Sequence, residues 1–195
     1  MKQNEIQKSS QLFFMLIENV ELLLGNKCVV DGFVKYGEIH VGDEVDVVGF
    51  GGPIKTKCCG IRVSGVLADV VSVGVNAGIM LCNVQETDVH RGQVLAAPNS
   101  VVAYSKFVGR CHILAETEGG RKVVFQNKRR FMFGLNATFI LGEMTLPAGK
   151  AEVCSGDTAD VDIELLYPLV FQKGDEFDIR ENGVILGTGM VIETK

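Results

Sequence analysis

Six cysteines and three histidines are the residues of this chain most able to bind metal or act as nucleophiles. The cysteines are Cys28, Cys58, Cys59, Cys82, Cys111 and Cys154. None forms a Cys-x-x-Cys pair and no histidine sits at ligand spacing to them, so no metal is expected. Cys58 and Cys59 are adjacent, which on a strand points them to opposite faces, one buried and one exposed. His40, His90 and His112 have no neighbouring pattern that recruits a serine or cysteine as nucleophile. His40 precedes a glycine turn and reads as a solvated surface residue, whereas His112, inside a strand-like run, reads as packed or hydrogen-bonded. The acidic pairs Asp43-Glu44 and Asp175-Glu176 follow turn glycines and read as solvated faces. These residues predict a protein that is not an enzyme and holds no cofactor, with an enzyme of unrecognised site as the last alternative.

Phosphate chemistry is also poorly provided for. A nucleotide-binding loop needs Gly-x-x-x-x-Gly-Lys-Ser/Thr, whose backbone N–H groups cradle phosphates, and the chain has none. Gly49 to Lys55 has glycines and a lysine at the wrong spacing, in a hairpin. Asp46-Val47-Val48-Gly49 matches Asp-x-x-Gly only at the end of a strand. Asn26-Lys27 and Asn127-Lys128 lack the aspartate that would read guanine, so no GTP is expected. One basic stretch stands out: Arg121-Lys122, then Lys128-Arg129-Arg130. It reads either as a solvated hairpin or as a contact for RNA phosphates or an acidic partner.

The elements that must carry these residues are strands. The chain is 47% hydrophobic, enough to bury a core, and its 23 glycines against 4 prolines, with abundant valine, favour short strands and tight turns. Strand signals fall at Val45 to Val48, Lys55 to Val63, Val70 to Val84, Ser105 to Leu114, Phe131 to Phe133, Phe139 to Met144, Val161 to Leu166, Glu176 to Arg180 and Val184 to Ile192. Asn182-Gly183 between two of them is a hairpin signal, because both residues tolerate positive φ. Phe13 to Leu24 fits a helix or a strand by period alone. Residues 1–11 read as a loose polar tail. The net charge of −5 does not advertise nucleic-acid binding. No leader-like start and no membrane span is apparent, so the chain is expected to be cytoplasmic, with free thiols.

Several blocks, in order, resemble the second and third domains of elongation factor Tu. Lys35-Tyr36-Gly37-Glu38-Ile39-His40-Val41-Gly42-Asp43-Glu44-Val45 and Arg91-Gly92-Gln93-Val94-Leu95-Ala96-Ala97-Pro98 are similar to the family's first barrel. Glu118-Gly119-Gly120-Arg121, Thr145-Leu146-Pro147-Ala148-Gly149 and Phe177-Asp178-Ile179-Arg180-Glu181-Asn182-Gly183 are similar to its second. The resemblance implies an all-β fold of two tandem closed β-barrels, residues 12–100 and 101–195, without the GTPase domain. It also resolves Phe13 to Leu24 as a strand. Met1 and the polar tail, and the residue losses described next, favour a natural stand-alone chain over a fragment.

In the family the first barrel helps hold the aminoacylated end of transfer RNA. A Glu-Met-Phe-Arg-Lys segment falls on Arg62 to Val66, a glutamate that meets the terminal adenosine falls on Val70, and arginines fall on Phe33, Cys82 and Val184. Each loss removes a polar or charged group that a phosphate or ribose would need. Binding of tRNA or the ribosome is therefore the lesser expectation. In their place Val63, Val66, Leu67, Val70 and Val71 crowd the region, either packing a rearranged loop or forming an exposed apolar patch. On a soluble protein such a patch marks a protein interface, and a protein partner is the leading expectation.

Overall fold

The computed structural model of the chain describes residues 12–23 and 27–195. The expected tail, residues 1–11, lies outside the described residues, as does Asn26 of the Asn26-Lys27 dipeptide. The chain divides after Val102 into two compact units, both built from antiparallel strands.

The first unit contains β1 (Phe14–Leu23), β2 (Lys27–Tyr36), β3 (Glu38–His40), β4 (Glu44–Gly49), β5 (Gly51–Val63), β6 (Val66–Ala68), β7 (Val70–Ser72), β8 (Asn76–Leu81) and β9 (Val94–Ala96). Strands pair in the order β4-β9-β1-β2-β8-β5, and β5 pairs back onto β4, which closes a six-stranded barrel. Closure leaves those strands no free edge. β6 hangs from β5 outside the ring, and β3 and β7 form a separate two-stranded sheet. The stretch that fits either period is β1, and its inward residues Met15 and Ile17 are fully buried two apart, as a strand requires. The interior is mostly aliphatic: Met15, Ile17, Val30, Val47, Ile61, Ile79 and Leu95 are all buried.

Two buried polar side chains close the end of this barrel. Gln93 donates through Nε2 to the Gly49 carbonyl at 2.7 Å, and its Oε1 accepts from the His90 N–H at 2.6 Å. Asp46 accepts the Asn99 N–H at 2.9 Å. The Asp-x-x-Gly pattern thus has a structural task, and Gly49 turns the chain into β5 with φ +123°.

The second unit contains β10 (Tyr104–Ile113), β11 (Val124–Gln126), β12 (Arg129–Leu135), β13 (Thr138–Thr145), β14 (Glu152–Cys154), β15 (Thr158–Leu169), β16 (Glu176–Glu181) and β17 (Val184–Thr194). Its ring, β10-β15-β13-β12-β16-β17, closes by pairing β17 with β10. Asn182 and Gly183 join β16 to β17 with φ values of 51° and 81°, the left-handed pair that a two-residue hairpin demands. The interior here is aromatic. Phe171, Phe107, Phe177, Phe133, Phe131 and Phe125 follow one another with ring centroids 4.7 to 6.5 Å apart. Six strands enclose little width, so the rings need glycine opposite them. A Cβ at Gly109 would lie 2.6 Å from the Phe177 ring, and one at Gly142 2.9 Å from Phe133.

The expectation of free thiols fails at two of the six cysteines. Cys59 and Cys82 are joined as a disulfide, with Cα atoms 5.6 Å apart. Cys58 is buried and Cys59 exposed, the split that adjacency on a strand predicts. The pairing of β5 with β8 shifts register between Cys58 and Gly60. The extra residue of that bulge is Cys59, which brings it to the Cys82 that follows β8.

Candidate functional site

β5 and β6 form a hairpin whose two-residue turn, Ser64-Gly65, takes φ values of 49° and 82°. Val63 pairs with Val66 and Arg62 with Leu67. Directly opposed residues share a face, so Leu67 lies beside Arg62 on the outer face, while Val66 lies beside Val63. Val66 is 69% exposed and Leu67 75%. Val63 is half-buried and packs against the barrel core. Val70 is exposed on β7, opposite His40. Val71 is a correction: it is buried and faces Ile39, because the middle residue of so short a strand must point inward when its neighbours point out. Of the five apolar residues singled out, the structure sets Val63 beside Val66, turns Leu67 to the other face of the hairpin, places Val70 on another strand, and withdraws Val71 into the core.

Beside Leu67 runs an open groove of about 430 Å³ whose lining includes Glu18, Asp31, Arg62, Asn76 and the Ser64-Gly65 turn. The Arg62 Nη2 donates to Glu21 at 2.9 Å and to Asp31 at 3.4 Å. Both carboxylates, Glu21 first, hold the guanidinium charged. Gly78 makes the meeting feasible, since a Cβ there would lie 2.6 Å from the Asp31 carboxylate. Glu18 lines the same groove and has no side-chain partner among the described residues. Sequence reasoning missed this cluster. Arg62 lies 41 and 31 positions from the two carboxylates it meets, and the signal is charge at outward positions of strands that read as largely apolar runs.

The basic stretch is largely spent on the protein itself. Glu181 accepts from Arg121 at 2.9 Å and from Arg129 at 2.6 Å. The Arg129 guanidinium also covers the Phe131 ring, 5.3 Å from its centroid. Arg130 lies 3.6 Å from Glu143. Lys122 and Lys128 have no side-chain partner among the described residues. Two of the five cations therefore clamp β11 and its neighbours to the end of β16, one lies across from β13, and two are open to solvent.

His112 is hydrogen-bonded, with Nδ1 3.1 Å from Thr158 Oγ1 and Nε2 2.9 Å from Glu118. Glu118 also accepts the Ala115 N–H at 2.8 Å. That backbone donor, and then His112, hold the Glu118 carboxyl below its usual range. Both ring nitrogens are thereby occupied on an open strand face.

Among the positions that the resemblance aligns with tRNA-contacting groups, Arg62 is paired with Glu21 and Asp31. Phe33, Val70 and Val184 are exposed, and Cys82 is in the disulfide. Among the described residues no helix is long and apolar enough to cross a membrane.

Two closed six-stranded antiparallel barrels in tandem are the architecture of the β domains of translation elongation factors. Residues 100–195, the second barrel, match the family model described as elongation factor Tu C-terminal domain. That match covers 96 of the 195 residues and makes the second barrel similar to a translation-factor domain.

Proposed function

We propose that this chain is a non-catalytic binding protein that uses the β5–β6 hairpin of its first barrel as a protein-interaction surface. The observation that carries the reading is the exposure of Val66 and Leu67 at the tip of a well-paired hairpin. Apolar side chains held out from a closed barrel lose hydration cost only when something covers them. The absence of a phosphate-binding loop from the sequence supports a role without GTP.

A second reading, a translation-associated binder of tRNA, the ribosome or a separate GTPase, draws on the second barrel's family and on the open Lys122 and Lys128. Affinity capture from a lysate of the source cells, with and without nuclease, separates the two. The first reading expects a nuclease-resistant protein that Val66→Asp no longer retains. Ribosomal proteins or tRNA that disappear with nuclease, captured equally by Val66→Asp, would replace it with the second.

A further inference from the structure

We propose that the partner of this surface is a peptide segment that places a lysine or arginine beside an aliphatic residue, the aliphatic group against Leu67 and the cation in the groove at Glu18. The proposal rests on the protein-interaction reading above and adds the chemistry of the partner. Continuity is the first argument: the groove is walled by Arg62, the cross-strand neighbour of Leu67, and by the turn that leads into Val66. One ligand segment can therefore touch both.

Charge is the second argument. Glu21 and Asp31 meet the single Arg62 guanidinium, and a third carboxylate, Glu18, lines the same groove. Two negative charges remain uncompensated, and Glu18 has no partner among the described residues. A phosphate would be repelled from such a groove, whereas an ammonium or guanidinium would complete it. Shape is the third: Gly32, Gly65 and Gly78 are among the lining residues of a groove of about 430 Å³, room for one long side chain. β6 pairs on one side only, so an extended segment can also lie along its open edge.

The test pans a random peptide library displayed on phage against the immobilised chain, then measures the best synthetic peptide by fluorescence anisotropy. The selected sequences are expected to carry Lys or Arg next to an aliphatic residue. Leu67→Asp should weaken that peptide at least about ten-fold. Glu18→Gln should weaken it about two- to five-fold, with a similar loss at raised salt. Both residues are exposed, and circular dichroism melting confirms that the variants fold. Acidic or uncharged selected peptides, a library that yields no cationic–aliphatic sequence, or indifference to Glu18→Gln and salt would each overturn the proposal. If Leu67→Asp alone abolishes binding, the interaction surface stands without its cationic partner. Indifference to Leu67→Asp removes both.

Discussion

The two barrels share strand number and closure but spend their side chains differently. Barrel two is filled by a chain of phenylalanines relieved by glycines, and many of its outer charges are matched by one another. Arg110 grips Asp160 with two hydrogen bonds, at 2.7 and 2.9 Å, while Lys106 faces Glu164 and Lys195 faces Asp162; within β16, Arg180 grips Asp178. Even its exposed Phe139 lies under the Arg180 guanidinium, 4.7 Å from the ring centroid. Barrel one is filled by small aliphatic groups, is stapled by a disulfide, and holds out a bare hairpin beside an unpaired carboxylate. Groups left without partners in a folded chain are where binding energy is still available. The difference teaches that barrel two uses most of its outer charges on itself, whereas barrel one leaves Val66, Leu67 and Glu18 accessible.

The comparison breaks most readily at the aromatic core. Phe177 is buried between Phe107 and Phe133, and the backbones at Gly109 and Gly189 press against its ring. Phe177→Ala should destabilise barrel two by about 3–5 kcal/mol, because the strands around it cannot collapse into the cavity. Denaturant unfolding with hydrogen exchange followed in each barrel would measure it. A loss shared equally by barrel one, or one below about 1 kcal/mol, would mean that the rings are not what sets barrel two apart.

The disulfide should matter next, and only to barrel one. It closes a loop of 23 positions, a length for which the chain-entropy account gives about 3 kcal/mol. Cys59→Ser with Cys82→Ser, or simple reduction, should lower the melting temperature accordingly. Reduction should also release two fast-reacting thiols. Buried Cys58 and Cys111 should react slowly, since burial pushes both thiols up, that of Cys111 to about 12. Equal melting curves with and without reductant would show the staple to be idle.

Much of this was open to a reader of the sequence, for local reasons. Alternation marks strands wherever one face is buried, and Asn182-Gly183 fixes a hairpin by its own φ requirements. The expected barrels follow, with the family blocks giving their order. What was hidden depends on pairs far apart in the chain. Nothing near Cys59 announces Cys82, because a bulge and the end of another strand bring them together. Nothing near Arg121 or Arg129 announces Glu181, which takes both. Val71 was grouped with its exposed neighbours because composition cannot say which parity of a three-residue strand faces in. The apolar residues Met132 and Leu141 occupy outward positions for the same reason: β12 and β13 are apolar at both parities, so period alone cannot separate the faces.

Acid should also separate the barrels. Arg110 holds the Asp160 carboxyl below its ordinary value of 3.8, and the Ala115 N–H with His112 holds that of Glu118 below 4.5. A carboxyl whose pKa is depressed in the folded state lends stability above its ordinary value and loses it as the pH falls through the folded value. Barrel two should therefore weaken as the pH drops below about 4.5, and Arg110→Gln should remove the Asp160 part of that slope. Unfolding midpoints measured from pH 6 down to pH 2 report it. A slope unchanged by Arg110→Gln would show that surface matching in barrel two is geometry without consequence.

The smallest stability effect carries the sharpest test. Val66 protrudes from a hairpin already secured by its Ser64-Gly65 turn and by three cross-strand pairs. Val66→Asp removes little buried area and should change stability by no more than about 0.5 kcal/mol. In an ordinary surface valine such a change would be silent in every assay. Here the unfolding midpoint should stay put while partner capture is lost, a dissociation between folding and binding that a core residue cannot produce. Val71→Asp supplies the contrast, since it would bury a carboxylate opposite Ile39 and lose fold and binding together. A Val66→Asp protein that melts early would mean that the hairpin is packed more tightly than its exposure implies. A fully stable one that still binds every partner would move the interaction surface elsewhere on the molecule.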